Sequence, residues 1–522
     1  MNMKNMKKKK ITALLLTVIM LVSLLAGCKQ AANTKEVNKK GTDTQTEESS
    51  NSENTETLSS TETVKLRYVV PGNAPTELER GLKAVNDKLA ADGVGVEIEV
   101  QFLPWDVWDQ KINIMLSTGE DFDMFHVMND RVSLANYVSR GALADLTPYM
   151  EQYGEAIKAA NPDLAMKSGQ VNGKQYGIPA YWVESALNHQ AIIRTDILKK
   201  YNLPMPKNFE ELTSAYETVM KNWDGDQKPY FPMTGTEQVG GYFFNSDNDY
   251  VLYDKIFYVN QDGTVKNYYE TEAFKESCKN ARLWYEKGLI NPDVLTISHE
   301  QMDNQLNSGD WFVHAGTIGD ITNMKKNYPD ITVDDFAWLD FDTETPEIRP
   351  YGTRNMQAVP KSSKHPEAAV KFINWLYSSQ ENFDLFVYGT EGVDYKKLDG
   401  RNYEAILDSE SGQVPYSFST WMIGNINYIY TSVTAPKVVN EHLYNLDKTA
   451  VEGYASQFTF DGSKVQTQLA DVNTQIAAVI APMASGVVDY DSNIDEALEL
   501  LRKAGIDDLV AEFKRQLEES RQ

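Results

Sequence analysis

The chain has 522 residues, too many for one ordinary hydrophobic core and enough for two or more lobes of about 100–200 residues each. Its 75 acidic and 50 basic residues give a formal net charge of −25, which repels phosphate backbones and argues against nucleic acid, polyanions and anionic membrane surfaces as main partners. Such a balance leaves a neutral ligand open.

The first 27 residues read as an export signal rather than as fold. A basic stretch, "MNMKNMKKKK", precedes an apolar run from Ile11 to Ala26, which is short for a membrane crossing of about 20 residues and ends in Leu25-Ala26-Gly27-Cys28. Removing residues 1–27 takes away five lysines and no acid, so the mature chain is near −30. From Lys29 to about Thr61 almost no apolar residue occurs, and this stretch reads as a tether that cannot bury a core.

Order begins near Val64 with the strand composition of "VKLRYVV". A helix follows, with Leu78, Leu82, Val85 and Leu89 in one stripe, then a strand with Val96, Ile98, Val100 and Phe102 alternating. A second helix spans about Trp105 to Ser117, and the short apolar run "FDMFHVM" has the pattern of a buried parallel strand. This alternation implies an α/β layer fold whose ligands sit at the C-terminal strand ends, which makes Trp105, Asp106, Met128, Asn129 and Asp130 candidates.

After the helical "RVSLANYVSRGAL", the pair Asn172-Gly173 marks a two-residue hairpin. It is not a phosphate loop, because only three residues separate Gly169 from Gly173 and Gln175 stands where a magnesium-binding hydroxyl belongs. A second α/β run starts at "SALNHQAIIRTDILKKY", and Asn208 followed by Glu211 has the spacing of a capping box. Cys278 shares a helical stripe with Phe274, Ala281 and Tyr285, as a buried core thiol does, and Trp311 beside His314 reads as a strand core residue. Later come the strand "NMQAVP", a helix with Pro366 in its first turn, and C-terminal helices with stripes Leu469, Val472, Ile476, Val479 and Leu509, Phe513, Leu517.

The ending Leu25-Ala26-Gly27-Cys28 resembles a bacterial lipobox. Together with "FLPWDVWDQKINIMLSTGEDFDMF", "VNGKQYGIPA", "KHPEAAVKFINWLYSSQENFDLFVYGTEGVDYK" and the closing "YDSNIDEALELLRKAGIDDLVAEFKRQLEES", it makes the chain similar to family 1 extracellular solute-binding lipoproteins of Gram-positive bacteria, the capture subunits of carbohydrate ABC importers. The resemblance implies a two-lobed, periplasmic-binding-protein-like α/β fold like that of maltose-binding protein, with discontinuous lobes joined by a multi-strand hinge. Lobe 1 is then expected at 62–180 and 352–420, and lobe 2 at 186–351 and 425–522. It also implies a diacylglycerol on Cys28, a monomer held on the extracellular face of the cell membrane, a carbohydrate ligand such as an oligosaccharide, and ABC permease subunits as partners. With Cys28 lipidated, Cys278 has no partner for an internal disulfide.

On this template "YGIPAYWVES" is the first crossing between lobes, and Tyr181 and Trp182 line the cleft, where an aromatic ring receives the apolar face of a sugar. The alternative for Trp182 is packing in the interlobe core. Glu391, between Gly389 and Gly392, either accepts sugar hydroxyls or is a solvated turn carboxylate. Arg354 either holds a uronate carboxylate or makes a surface salt bridge; Asn355 beside it, and Trp421 and Asn425 near the last crossing, complete the candidate site. The alternative classes are a membrane-anchored glycoside hydrolase working through two carboxylates and a surface adhesin. No catalytic constellation favours an enzyme: there is no His-Glu-x-x-His, no Gly-x-Ser-x-Gly, and His126, His189, His299, His314, His365 and His442 have no ligand spacing. In "DYDSNID", Ile494 and Leu500 replace the glycine and glutamate of a calcium loop, so the segment reads as a helix entry, and no metal or cofactor is expected.

Overall fold

The computed structural model describes residues 63–182, 191–235, 250–316, 318–341 and 345–521. The expected signal, Cys28 and the tether lie outside the described residues. Among the described residues no helix is long and apolar enough to cross a membrane.

The opening strand, β1 (Val64–Pro71), buries Leu66, Tyr68 and Val70 on one face and Val69 on the other, as a strand covered on both sides does. Of the expected stripe, Leu82, Val85 and Leu89 are buried and Leu78 is partly buried in α1 (Leu78–Ala91), which leads to β2 (Val96–Leu103), parallel to β1. The second helix starts later than its sequence suggests. Pro104 closes β2, Trp105–Val107 form a single 3-10 turn, and α2 runs from Trp108 to Thr118, where Gly119 at φ +66° caps it. All five residues of β3 (Met124–Met128) are buried, and β3 is parallel to β1. Ser133 caps α3 (Leu134–Ser139) by accepting a hydrogen bond from the Asn136 N–H. Asn172 and Gly173, at φ +51° and +76°, turn the expected hairpin between 170–171 and 174–175, and β4 (Gly177–Pro179) follows.

Beyond the first crossing come β5 (Ala191–Arg194), α4 (Phe209–Asn222), β6 (Tyr250–Tyr253), β7 (Phe257–Asn260), β8 (Val265–Asn267), α5 (Glu272–Glu286), α6 (His299–Ser308), β9 (Val313–Ala315) and β10 (Phe336–Leu339). This lobe is not a copy of the first: β5 is antiparallel to both β9 and β10, and β6, β7 and β8 form an antiparallel meander. Asn208 caps α4 through the Glu211 N–H at 2.8 Å, but the Glu211 carboxylate accepts from Lys207 N and not from the cap residue, so the box is only half formed.

The chain then returns as β11 (Asn355–Ala358), antiparallel between β3 and β4, giving the order β2-β1-β3-β11-β4. Two apolar clusters cover the two faces of this sheet and draw only on 64–182 and 356–430; three others draw only on 191–351 and 438–517. The expected resumption of lobe 2 at 425 is therefore too early. Met422, Ile423 and Ile429 are buried in the first lobe's core, and the second lobe resumes near Val438. Cys278 and Trp311 are core residues, and burial pushes the Cys278 thiol up. One stripe is displaced by a π-turn at Ile476–Ile480: its extra residue brings Ile480, rather than Val479, under Val472 and Ile476. Asp489 caps the helix Tyr490–Ala504 through Ser492, the helix-entry role read from sequence.

Candidate functional site

The strand ends of the first lobe meet at one edge of its sheet. There Pro104 turns the chain out of β2 and leaves Trp105 partly exposed on its 3-10 turn. Its ring stacks on Trp421, with centroids 5.8 Å apart and planes at 28°. The Arg131 guanidinium lies 5.6 Å above Trp105, and Trp421 meets the His126 ring edge-on at 5.4 Å. Two indoles more than 300 residues apart thus form one aromatic floor.

A cavity of about 240 Å³ opens beside Trp421, lined by Tyr388, Tyr395 and Tyr403 and by the hydroxyl-bearing residues Ser417, Ser419 and Thr420. Sequence reasoning missed it, because its walls come from separate turns and short strands that tertiary pairing brings together; the crowding of tyrosines between 388 and 403 is its only local trace. Asp394 also lines the cavity. It is fully buried, held by Arg80 through two nitrogens and by the Thr390 N–H at 2.9 Å. Glu391, expected at the cleft, is instead an exposed turn carboxylate 3.8 Å from Lys397 and does not line the cavity.

The other strand-end residues divide into exposed and bracing groups. Asp130 is exposed and pairs with Arg354 at 3.4 Å, while Arg131 pairs with Asp109 at 2.7 Å. Asn129, Asn355 and Asn425 are buried, each held by a partner within the first lobe. Asn129 Oδ1 accepts from Leu134 N at the start of α3; Asn355 Oδ1 lies 3.1 Å from His126 Nε2; Asn425 Nδ2 donates to the Ala160 carbonyl at 2.9 Å. Each amide braces backbone or a ring that would otherwise leave buried polar groups unpaired. Burial pulls His126 down to about 4, so its ring is neutral at physiological pH. Tyr181 and Trp182 are partly buried beside the hinge, where the Tyr181 carbonyl accepts from Ile426 N, and Trp182 packs along the edge of the first core. The remaining residues of "YWVES" lie outside the described residues.

Two elements of the second lobe approach this edge. His299, the first residue of α6, places Nδ1 3.5 Å from Asp106 Oδ1. The β6–β7 turn is tighter. Asp254 and Lys255 both have positive φ, +50° and +59°, and the Ile256 N–H donates to the Tyr253 carbonyl at 3.0 Å. This is a type I′ turn built without glycine, a conformation that disfavours Lys255 by about 1 kcal/mol or more. It directs Asp254 into an interlobe cavity of about 30 Å³, room for roughly one water, faced by Asn129, Ser133 and Ser168 of the first lobe. Burial, and then the Asp130 charge, push the Asp254 carboxyl up to about 7.

Two α/β lobes joined by three crossings, with an aromatic floor at the strand ends of one and side chains of the other facing it, define a solute-binding protein. A family model described as bacterial extracellular solute-binding protein matches residues 75–382, more than half of the chain, and the chain belongs to that family. A domain of unknown function matches residues 454–521. Over 465 residues the chain is 27% identical to a carbohydrate ABC transporter substrate-binding protein of Streptococcus pneumoniae serotype 4 (strain TIGR4), across 86% of this chain and 89% of that protein. It is 22% identical over 407 residues to the polygalacturonan/rhamnogalacturonan-binding protein YtcQ of Bacillus subtilis strain 168, across 75% of each. Its fold is similar to that of the N-glycan transport solute binding protein NgtS from Streptococcus pneumoniae in complex with Man1GlcNAc, with a TM-score of 0.70 and 22% identity, covering 87% of this chain and 99% of that one.

Proposed function

We propose that this protein captures an oligosaccharide at the cell surface and delivers it, unaltered, to the permease of an ABC importer. The observation that carries the reading is the Trp105–Trp421 stack continuing into a tyrosine- and hydroxyl-lined cavity. Flat rings take the apolar face of a pyranose while the hydroxyls and indole N–H groups meet its polar rim, and this combination suits an uncharged polyol better than any other small solute. At about 240 Å³ the cavity is below the roughly 300 Å³ at which drug-sized pockets begin, which fits one sugar ring, with further rings running along the floor toward Trp105. The relatives named for carbohydrate transport and for pectic polymers support the same class. Trp105, Asp106, Asp130, Tyr181, Trp182, Arg354 and Trp421 are the proposed contact residues, with Asn129, Asn355 and Asn425 as their braces. Lobe closure on the ligand presents the loaded form to the permease.

The Leu25-Ala26-Gly27-Cys28 ending supports a lipid on Cys28 that anchors the mature chain to the outer face of the membrane through the tether. Cys28→Ser is expected to leave the membrane fraction or to remain unprocessed; unchanged lipid labelling and fractionation count against the anchor. Capture is tested by thermal shift against an oligosaccharide panel, where a ligand at 100 times its Kd adds about 2.7 kcal/mol. Prolonged incubation followed by chromatography is expected to return the bound sugar intact, and multiple turnovers of cleavage would place the protein among hydrolases.

A further inference from the structure

The relatives leave open whether the sugar is neutral or acidic, and the charges around the cleft decide it. On the first lobe, four basic side chains near this edge and the adjoining cavity are matched: Arg131 by Asp109 at 2.7 Å, Arg354 by Asp130 at 3.4 Å, Lys397 by Asp384 at 2.8 Å, and Arg80 by Asp394 through two nitrogens. In the Arg354 pair the acid is the more exposed partner, 40% against 21% for the side chains, so a ligand approaching from solvent meets Asp130 before Arg354. Asp106 is exposed on the same edge, and Asp254 enters from the other lobe.

We propose that the cleft selects uncharged oligosaccharides and rejects uronate-bearing ones, with the Arg354–Asp130 pair as the element that closes it to carboxylates. The inference rests on the carbohydrate reading above and narrows it. A uronate carboxylate needs an arginine fork with free N–H groups. Here it has to displace Asp130 from Arg354 and then leave that carboxylate beside itself in a partly desolvated site, where like charges in close contact oppose binding. A neutral pyranose asks for none of this, since a carboxylate held by arginine still accepts hydroxyl hydrogen bonds.

The test is titration calorimetry of the purified chain with neutral manno-, fructo- and N-acetylglucosamine-containing oligosaccharides and with oligogalacturonates of matched length, repeated with Asp130→Asn and Asp130→Glu. Binding of a neutral probe at least about tenfold tighter than of any oligogalacturonate is expected, with Asp130→Asn shifting the ratio at least about tenfold toward the uronates and Asp130→Glu keeping it. Reading the ratio makes the outcome independent of any general loss of affinity. Oligogalacturonate binding equal to or tighter than neutral binding overturns the inference while leaving the carbohydrate reading in place, and a ratio that Asp130→Asn does not move overturns the role of the pair. Failure of a folded chain to bind either set overturns the carbohydrate reading and the inference with it.

Discussion

Replacing Trp105 with alanine separates a binding platform from a structural tryptophan. The ring is partly exposed, stacked on Trp421 at 5.8 Å, with the Arg131 guanidinium 5.6 Å from its centroid and an apolar cluster of the first lobe at its edge. The folded state therefore loses one aromatic pair, about 0.5–1.5 kcal/mol, and a fraction of the burial of a full indole. A total of about 1–2 kcal/mol follows, well below the roughly 3–5 kcal/mol for a buried tryptophan such as Trp108 on the next turn, which is 2% exposed. The ligand loses an anchor worth about 2 kcal/mol, so its Kd is expected to rise about 30-fold. Titration calorimetry with the tightest neutral probe, beside thermal melts of Trp105→Ala and Trp108→Ala, gives both quantities. A Trp105→Ala protein that binds within threefold of the parent refutes the floor as the sugar platform. So does one that melts as low as Trp108→Ala, because its weak binding would then reflect damage to the fold.

Trp182→Ala is expected to weaken binding by about 30-fold with little change in melting if the ring serves the cleft; a large melting loss with intact affinity assigns it to the edge of the core on which it packs. Asp254 sets a pH dependence whose sign follows from its raised carboxyl. The folded chain keeps a proton between the usual 3.8 and about 7 that the unfolded chain has released, so its contribution is fully present below that window and is lost as pH rises through it. Asp254→Asn, a residue that also tolerates positive φ, is expected to flatten that loss and to exceed the parent's melting temperature at pH 8; parallel curves for the two proteins refute the assignment. Gly81→Ala places a methyl about 2.0 Å from the Tyr416 ring, which is fully buried and cannot swing away, so a loss of about 1–3 kcal/mol is expected by denaturant titration despite alanine's higher helix propensity.

The first lobe was legible because its strands obey patterns that local chemistry enforces. β1 has strand composition and β3 reads as an apolar run since both its faces are covered, the stripe of α1 matches its buried side, and Asn172-Gly173 sits where the hairpin's backbone angles require it. The misreadings share a different cause. Nothing local tells the run "STWMIGNINYIY" that Met422, Ile423 and Ile429 belong to the first core, because the surfaces they fill are built from residues far earlier in the chain. The π-turn at 476–480 does have a local trace, Pro482, which lacks the N–H that would bond the Ala478 carbonyl and whose ring crowds it, but the sequence alone does not say which residue of the stripe is displaced.

The same division explains the candidate site. Trp105 was named for its place at a strand end and Trp421 for its place near the last crossing, and the two rings do meet. Asn129, Asn355 and Asn425 mark a limit of that reading, because an amide beside a ligand and an amide beneath it look identical in sequence. Only the partner distinguishes them: for Asn425 it is a carbonyl 265 residues away, for Asn129 the first N–H of a helix five residues on. Those amides satisfy buried backbone groups of the first lobe, and removing one costs the desolvation of its orphaned partner, about 1–3 kcal/mol. Charge was the hardest property to read, since a lone Arg354 suggests affinity for a carboxylate. Set against Asp130 at 3.4 Å, the same arginine becomes half of an ion pair, and that pairing is the premise of the proposed selection against uronates.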